Sequence, residues 1–153
     1  MRGPAPLLAA LCAGCGYAPV RGQARGLVQM ATVRNDTAQA EAGGFFADAF
    51  RTELAGRDQL DTDGTSPELR LEVVALRSWP SSSAGDGAAS FRVEADLKLK
   101  VGDYEDHLVA NEDYLAGIDV LGTEANRRAA LRRLARSAAR EAIERYDVAE
   151  RLR

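Results

Sequence analysis

The sequence predicts an α+β fold: a two-layer sandwich in which two helices pack on one face of a four-stranded, mostly antiparallel sheet. Three observations predict it. Residues Phe91 to Val101 alternate between apolar and charged or polar side chains, as a half-buried strand does. Two other segments carry apolar residues at helical spacing. Three consecutive extended segments are joined by connections compatible with hairpins, which favours antiparallel pairing and one apolar face for both helices.

The first strand leads directly into the first helix. Leu27 to Val33 is rich in strand formers and stops at Asn35 to Thr37, residues that cap helices well. Asp36 and Gln39 have the spacing of a capping box. We therefore expect a helix that runs to about Leu54. Its apolar stripe consists of Ala42, Phe46, Ala49, Phe50 and Leu54.

Three further strands and a long helix follow an irregular connection from Gly56 to Pro67. Pro80 to Ser90 has the composition of a flexible loop, whereas Gly102-Asp103 is typical of a tight hairpin. The last helix should be capped by Thr123. The predicted elements are strands Glu68 to Trp79, Phe91 to Val101 and Tyr104 to Leu115, the last at a sheet edge, and a helix from Glu124 to about Tyr146.

The first residues are arranged like an export signal. Arg2 supplies a short positive region, PAPLLAAL an apolar one, and two small residues stand directly before Cys15. We interpret residues 1–14 as a lipoprotein signal peptide, Cys15 as the acylated amino terminus, residues 15–26 as a lipidated tether and residues 27–153 as one α+β domain. An ordinary cleaved signal and an uncleaved anchor are the alternatives.

The sequence offers no recognisable catalytic or metal-binding set. Cys12 and Cys15 match CxxC, but a redox pair would need a preceding strand, and a zinc site would need two more ligands where only His107 is available. Glu112 and Asp113 are adjacent, so they would point to opposite faces of a strand. We predict no enzymatic activity, no metal and no cofactor, and the net charge of −3 gives no reason to expect nucleic-acid binding.

Five features point to one family. They are CGYAP at the acylation site, VRNDT after the first strand, FADAFRTEL in the first helix, the strand FRVEADLKLKV and the Ala- and Arg-rich final helix. From Cys15 to about Tyr146 the chain resembles the LPS-assembly lipoproteins, the LptE family. The resemblance implies a non-enzymatic protein anchored at the periplasmic face of the outer membrane. It also implies that the protein binds lipopolysaccharide (LPS) and supports the assembly and plugging of an LptD-like β-barrel, the LPS translocon.

Phosphate groups of LPS would pair with basic side chains. Arg92, Lys98 and Lys100 are the candidate contacts, chosen by strand face and charge; the alternative is a solvated strand face. The last helix carries another basic group, interpreted as its solvent side, with contact to the barrel wall or to anionic lipid as the alternative. This group includes Arg132, Arg133, Arg136 and Arg140.

Two other functions fit the same sequence less well. An outer-membrane lipoprotein of similar outline could dock on and regulate a peptidoglycan synthase, and sequence pattern does not separate this from LPS assembly. A periplasmic hydrolase is disfavoured because no set of nucleophile, base and orienting residue can be found. The partner bound in detergent extracts would separate the first two functions.

Overall fold

Five strands and two helices make up the described part of the chain, residues 26–83 and 89–153 of this computed structural model. In chain order the elements are β1 (Val28–Asn35), α1 (Ala40–Gly56), β2 (Leu60–Asp61), β3 (Glu68–Ser83), β4 (Ala89–Val101), β5 (Tyr104–Leu115) and α2 (Val120–Arg151). The strands form one curled, mixed sheet in the order β2-β1-β3-β4-β5. The α+β class is confirmed, but the prediction of four mostly antiparallel strands is wrong in detail.

The additional strand, β2, lies in the connection that was predicted to be irregular. Leu60 and Asp61 pair in parallel with Val28 and Gln29, and β1 also runs parallel to β3. Two residues are too few to produce an alternating pattern, so hydrophobic periodicity cannot detect this strand. The Asp61 carboxylate fixes the turn that follows. It accepts hydrogen bonds from the backbone N–H groups of Asp63, Thr65 and Ser66 at 2.7, 3.0 and 2.8 Å.

Strands β3 and β4 also extend into the predicted loop from Pro80 to Ser90. β3 continues to Ser83, and β4 already begins at Ala89. Proline is tolerated in this part of β3 because the pairing with β1 ends at Val73, which leaves one side of β3 unpaired from there on. Residues 84–88 lie outside the described part of the chain.

The helix starts differ from the predicted caps. Gln39 is the N-cap of α1 and makes no side-chain capping bond, whereas Asp36 instead pairs with Arg34, Nε to Oδ1 at 2.8 Å. The capping box is therefore wrong, because a stronger charged partner stands two residues away. Helix α2 is capped by Asp119, whose Oδ1 accepts from Gly122 N at 2.6 Å, so it begins before Thr123.

A single apolar core joins both helices to the inner face of the sheet. The alternation predicted for β4 is confirmed: Val93, Leu97 and Val101 are buried, whereas Lys98 and Lys100 are exposed. The two helices run parallel to each other, because α1 starts beside the start of α2 at Arg127 and ends beside Asp147. No helix in the described part is both long and apolar enough to cross a membrane.

Candidate ligand-binding surfaces

The outward side chains of β3, β4 and β5 form a charged surface, which we call the sheet face. Its central row on β4 includes Arg92, Lys98 and Lys100, the three residues proposed from sequence. The antiparallel register with β5 places Asp113 beside Arg92, His107 beside Lys98 and Glu105 beside Lys100. All three candidates are therefore outward-facing, but each has a different neighbour.

Arg92 and Lys100 are engaged by carboxylates. Arg92 donates two hydrogen bonds to Asp113, Nε to Oδ1 at 2.8 Å and Nη2 to Oδ2 at 3.0 Å. The hydrogen bonds from Arg92 lower the pKa of Asp113. Lys100 Nζ donates to Glu105 Oε1, and this bond lowers the pKa of Glu105. Both cations are exposed, but each is already paired with a neighbouring strand.

Lys98 lies in the same row without a close ion pair. Its register neighbours are Glu72 on β3 and His107 on β5, and His107 Nε2 is hydrogen-bonded to Asp96 Oδ1. Among residues 26–83 and 89–153, no carboxylate oxygen lies within 4.0 Å of Lys98 Nζ. The hydrogen bond from Arg34 lowers the pKa of Asp36, and the charge of Lys98 helps to lower it at longer range. Of the three candidates, Lys98 is therefore the one that no carboxylate contacts directly.

A groove of about 1350 Å³ extends from one end of the sheet face across β1 to Gly43, Gly44, Ala47 and Arg51 of α1, and it separates the candidates. Lys98 and Lys100 line it together with Arg34, Arg70, Glu72 and Glu105. Arg92 does not line it, since it lies six residues away along β4, roughly 20 Å at about 3.3 Å per residue. The structure thus brings two of the predicted contacts together and leaves the third at the other end of the strand.

The sequence analysis did not identify Asp113 and Glu105, the carboxylate partners of two of the candidate residues. A two-residue turn at Gly102-Asp103 pairs Val101 with Tyr104. Counting back from that pair gives Lys100 with Glu105, and further back Arg92 with Asp113. The predicted hairpin therefore contained the signal, because its register fixes which charges meet.

The arginines of α2 have fewer partners. Arg132 lies over the ring of Phe45 on α1, with Cζ 4.8 Å from the ring centroid. Arg133 donates to Glu112 Oε1 on β5 at 2.7 Å. Arg136 and Arg140 are exposed, and no ion pair within 4.0 Å joins them to another residue in the described ranges. We call Arg132, Arg136 and Arg140 the arginine stripe.

A polar cluster fixes α1 against the end of α2. Arg57 contacts Glu53, Glu144 and Asp147 at 2.6, 3.3 and 3.2 Å. Gln59 is fully buried and donates from Nε2 to Asp147 Oδ1 at 2.7 Å. The cluster has a buried centre, Gln59 and Asp147, and it joins three segments, so we interpret it as structural.

Four large apolar side chains stand exposed between β5 and α2: Leu115, Ile118, Val120 and Leu121. The connection that carries them is tightly packed. Gly117 N donates to Thr123 Oγ1 at 2.9 Å, and a Cβ at Gly117 would come within 2.5 Å of the backbone of Gly122. The close packing of this backbone fixes the connection in a conformation that leaves its apolar side chains exposed.

The proposed anchor, Cys15, lies outside the described residues, as do the predicted signal peptide and nearly all of the predicted tether. The described chain starts at Gly26, just before β1. Within the described ranges, no group of three or more His, Cys, Asp or Glu side chains is placed to hold a metal ion. The absence of enzymatic activity stays a prediction.

Solved structures share this fold. A proposed lipoprotein from Caulobacter crescentus is 13% identical, with a TM-score of 0.54 over 76% of this chain and 88% of that chain. Rare lipoprotein B from Shewanella oneidensis is 14% identical, with a TM-score of 0.55 over 80% of this chain and 96% of that chain.

A third similar structure is the hypothetical protein CT253 from Chlamydia trachomatis. It is 14% identical, with a TM-score of 0.50 over 81% of this chain and 96% of that chain. No protein-family model matches the chain, and no curated protein matches it. At such low identity the three structures establish a shared fold, and two of them are described as lipoproteins.

Proposed function

We propose that this chain is a non-enzymatic outer-membrane lipoprotein that binds LPS and supports the assembly and plugging of a β-barrel LPS translocon. Three findings support the proposal. The sequence places Cys15 behind an export-like segment. The fold matches rare lipoprotein B, of the LptE-like family, over nearly all of that protein. The sheet face is charged along its length.

The sheet face is the observation that carries the proposal. Three of its cations form cross-strand pairs, Arg92 with Asp113, Arg77 with Glu94 and Lys100 with Glu105, and Lys98 is the exception. A surface of this kind stays hydrated and still has little net charge, which suits contact with the wet, polar interior of a large barrel. The exposed apolar connection, Leu115 to Leu121, offers a second contact for the same partner.

Purification from membranes tests the partner. The full chain, tagged at its C-terminus, would be extracted from a Gram-negative host in mild detergent, and its bound proteins identified by mass spectrometry. We expect a large outer-membrane β-barrel, together with palmitate on Cys15. The Cys15→Ser chain is the control. It should lose the lipid and, with it, the membrane attachment that survives a high-salt wash, because salt screens contacts made by charge alone.

Capture of a peptidoglycan synthase without a barrel would support the alternative function, in which the lipoprotein regulates that enzyme. That outcome would contradict the LPS-assembly proposal. An unmodified Cys15 in the membrane fraction would contradict the anchor itself.

We further propose Lys98 as the main LPS contact on the sheet face, with Lys100 beside it and Arg92 more weakly available. The reason is the pairing described above: Lys98 lines the groove and has no carboxylate within 4.0 Å among the described residues. Lys98→Glu with Lys100→Glu should weaken LPS retention while the far-ultraviolet circular dichroism stays unchanged. Retention equal to that of the wild type would remove both lysines from the site.

A further inference from the structure

The middle of α2 has an unusual charge pattern. From Ala129 to Arg140 it contains four arginines and no acidic residue. On either side of this segment the arginines are balanced: Arg128 contacts Glu41 and Glu124 at 3.2 Å each, and Arg145 contacts Glu141 at 2.7 Å. The excess of positive charge is therefore confined to about three turns of the helix.

The arginine stripe places like charges next to one another. Arg136 has Arg132 four residues before it and Arg140 four residues after it, and both of these spacings bring side chains together on a helix surface. Glu144, the one acidic residue at this spacing from Arg140, is engaged by Arg57 at 3.3 Å. Like-charge pairs at this spacing destabilise a helix. The contact with Phe45 gives Arg132 a role in packing α2 on α1, but nothing comparable offsets the repulsion at Arg136 and Arg140 among the described residues.

The shape of the stripe indicates what could relieve this repulsion. The three arginines cover eight residues of one helix, about 12 Å along its axis, and they are exposed on a convex surface. None of them lines the groove of about 1350 Å³ on the sheet face. A convex row of cations fits a flat array of anions better than a single small ligand.

Guanidinium groups favour phosphate, since their planar donors can form two parallel hydrogen bonds to it. The guanidinium of Arg132 packs on the ring of Phe45, with Cζ 4.8 Å from the ring centroid. This contact restricts the conformations of Arg132 before any ligand binds. We propose that the arginine stripe is a binding site for the phosphate groups of an anionic lipid bilayer, so that the helical layer lies against the membrane surface and the sheet face points away from it.

Vesicle binding by two matched variants tests the proposal. Both would be made in the full chain carrying Cys15→Ser, so that no acyl anchor contributes. The stripe variant carries Arg132→Gln, Arg136→Gln and Arg140→Gln. The sheet variant carries Arg34→Gln, Arg70→Gln and Arg77→Gln, and it changes the net charge by the same amount. None of these three arginines is proposed as an LPS contact.

Partition would be measured by co-sedimentation with vesicles of phosphatidylcholine alone and with vesicles that also contain phosphatidylglycerol. The difference between the two vesicle types removes any contribution from the apolar N-terminal segment. A basic residue near an anionic membrane surface is worth roughly fivefold in binding, so we expect the stripe variant to lose about a hundredfold. The sheet variant should stay within about twofold, because each cation that it loses already contacts a carboxylate. The partners are Asp36, Glu68 and Glu94, at 2.8, 2.9 and 3.4 Å from Arg34, Arg70 and Arg77.

Equal losses in both variants would show a general charge effect and overturn the proposal. Unchanged vesicle binding by the stripe variant, with loss of the copurified partner instead, would assign the stripe to a protein surface and also overturn it. Displacement of the wild-type chain by millimolar inorganic phosphate alone would indicate a small-anion site, which contradicts a lipid surface. A single cooperative melting transition in each variant would confirm that both are folded.

Discussion

The sheet face and the arginine stripe both carry several cations, yet they present very different charge to a ligand. On the sheet face, Arg92 and Lys100 donate to Asp113 and Glu105 on the neighbouring strand. On α2, Arg136 and Arg140 have no ion pair within 4.0 Å among the described residues. The difference shows that exposure and charge alone do not identify a binding surface. The partners set by strand register decide how much charge remains available.

The same contrast separates two roles. A surface whose charges are internally paired can face a hydrated protein wall at little electrostatic cost. A surface with unpaired arginines gains most from an array of anions. The helical layer and the sheet therefore suit different partners, and a small protein between a membrane and a barrel would use both sides.

The largest effect should come from a cavity in the apolar core that lies between the sheet and the helices. Phe50 is fully buried in α1, whereas Phe45 on the same helix is only half-buried. Phe50→Ala should cost about 3–5 kcal/mol of unfolding free energy, a large part of the total for a domain of this size. Urea unfolding would measure it, with Phe45→Ala as the control. An equal loss in both variants would contradict the described packing.

The next largest effect should come from removing a carboxylate from the sheet face, which leaves that face with more positive charge. Asp113→Asn removes the charge that holds Arg92 and leaves the strand otherwise intact. We expect binding to phosphatidylglycerol vesicles to rise by up to about fivefold, because one arginine becomes available. The melting temperature should hardly change, since exposed ion pairs contribute little to stability. If vesicle binding does not rise, the ion pair with Asp113 is not the reason that the sheet face binds anionic lipid weakly.

Acid should weaken the sheet-face pairs in a defined pH range. Hydrogen bonds from Arg92 and Lys100 lower the pKa values of Asp113 and Glu105 below their ordinary values of 3.8 and 4.5. A carboxylate with a lowered pKa stabilises the fold above its unfolded pKa, and this contribution is lost as the pH falls through the folded value. Titration of the carboxyl carbons by nuclear magnetic resonance would check this. Asp113 titrating at or above 3.8 would contradict the pairing.

The smallest effect should be a gain in stability from within the stripe. Arg136→Gln removes the central charge and with it two like-charge neighbours on α2. We expect the unfolding free energy to rise by about 0.4–1 kcal/mol, since each of the two like-charge pairs costs about 0.2–0.5 kcal/mol. Arg145→Gln, which instead removes a favourable contact with Glu141 at 2.7 Å, should lower it. If the unfolding free energy falls in both variants, Arg136 makes a favourable contact in the free protein, and the proposed repulsion within the stripe is wrong.

Much of this fold could be predicted from sequence, for reasons that particular elements show. The strict alternation of β4 and the apolar stripes of α1 and α2 identified these elements, because their burial follows a regular period. The two-residue strand β2 and the continuation of β3 through Pro80 were missed. Both depend on tertiary pairing, since a two-residue strand has no period and a proline is tolerated only where a neighbouring strand has ended.

The candidate site was only partly accessible to sequence reasoning. Strand period placed Arg92, Lys98 and Lys100 on one outward face, and the structure has them there. The alternation of side chains could not show that Asp113 pairs with Arg92 and Glu105 with Lys100. These ion pairs depend on the register between β4 and β5. The contact between Arg132 and Phe45 depends on how α1 and α2 pack together, which no local pattern encodes.

Arginine reactivity tests the contrast between the two surfaces most directly. The full chain would be treated with phenylglyoxal, with and without phosphatidylglycerol vesicles, and modified peptides quantified by mass spectrometry. We predict that Arg136 and Arg140 react readily in the free protein and are protected by the vesicles, whereas Arg92 reacts slowly in both conditions. Protection of Arg92 with continued reaction at Arg136 and Arg140 would contradict the account.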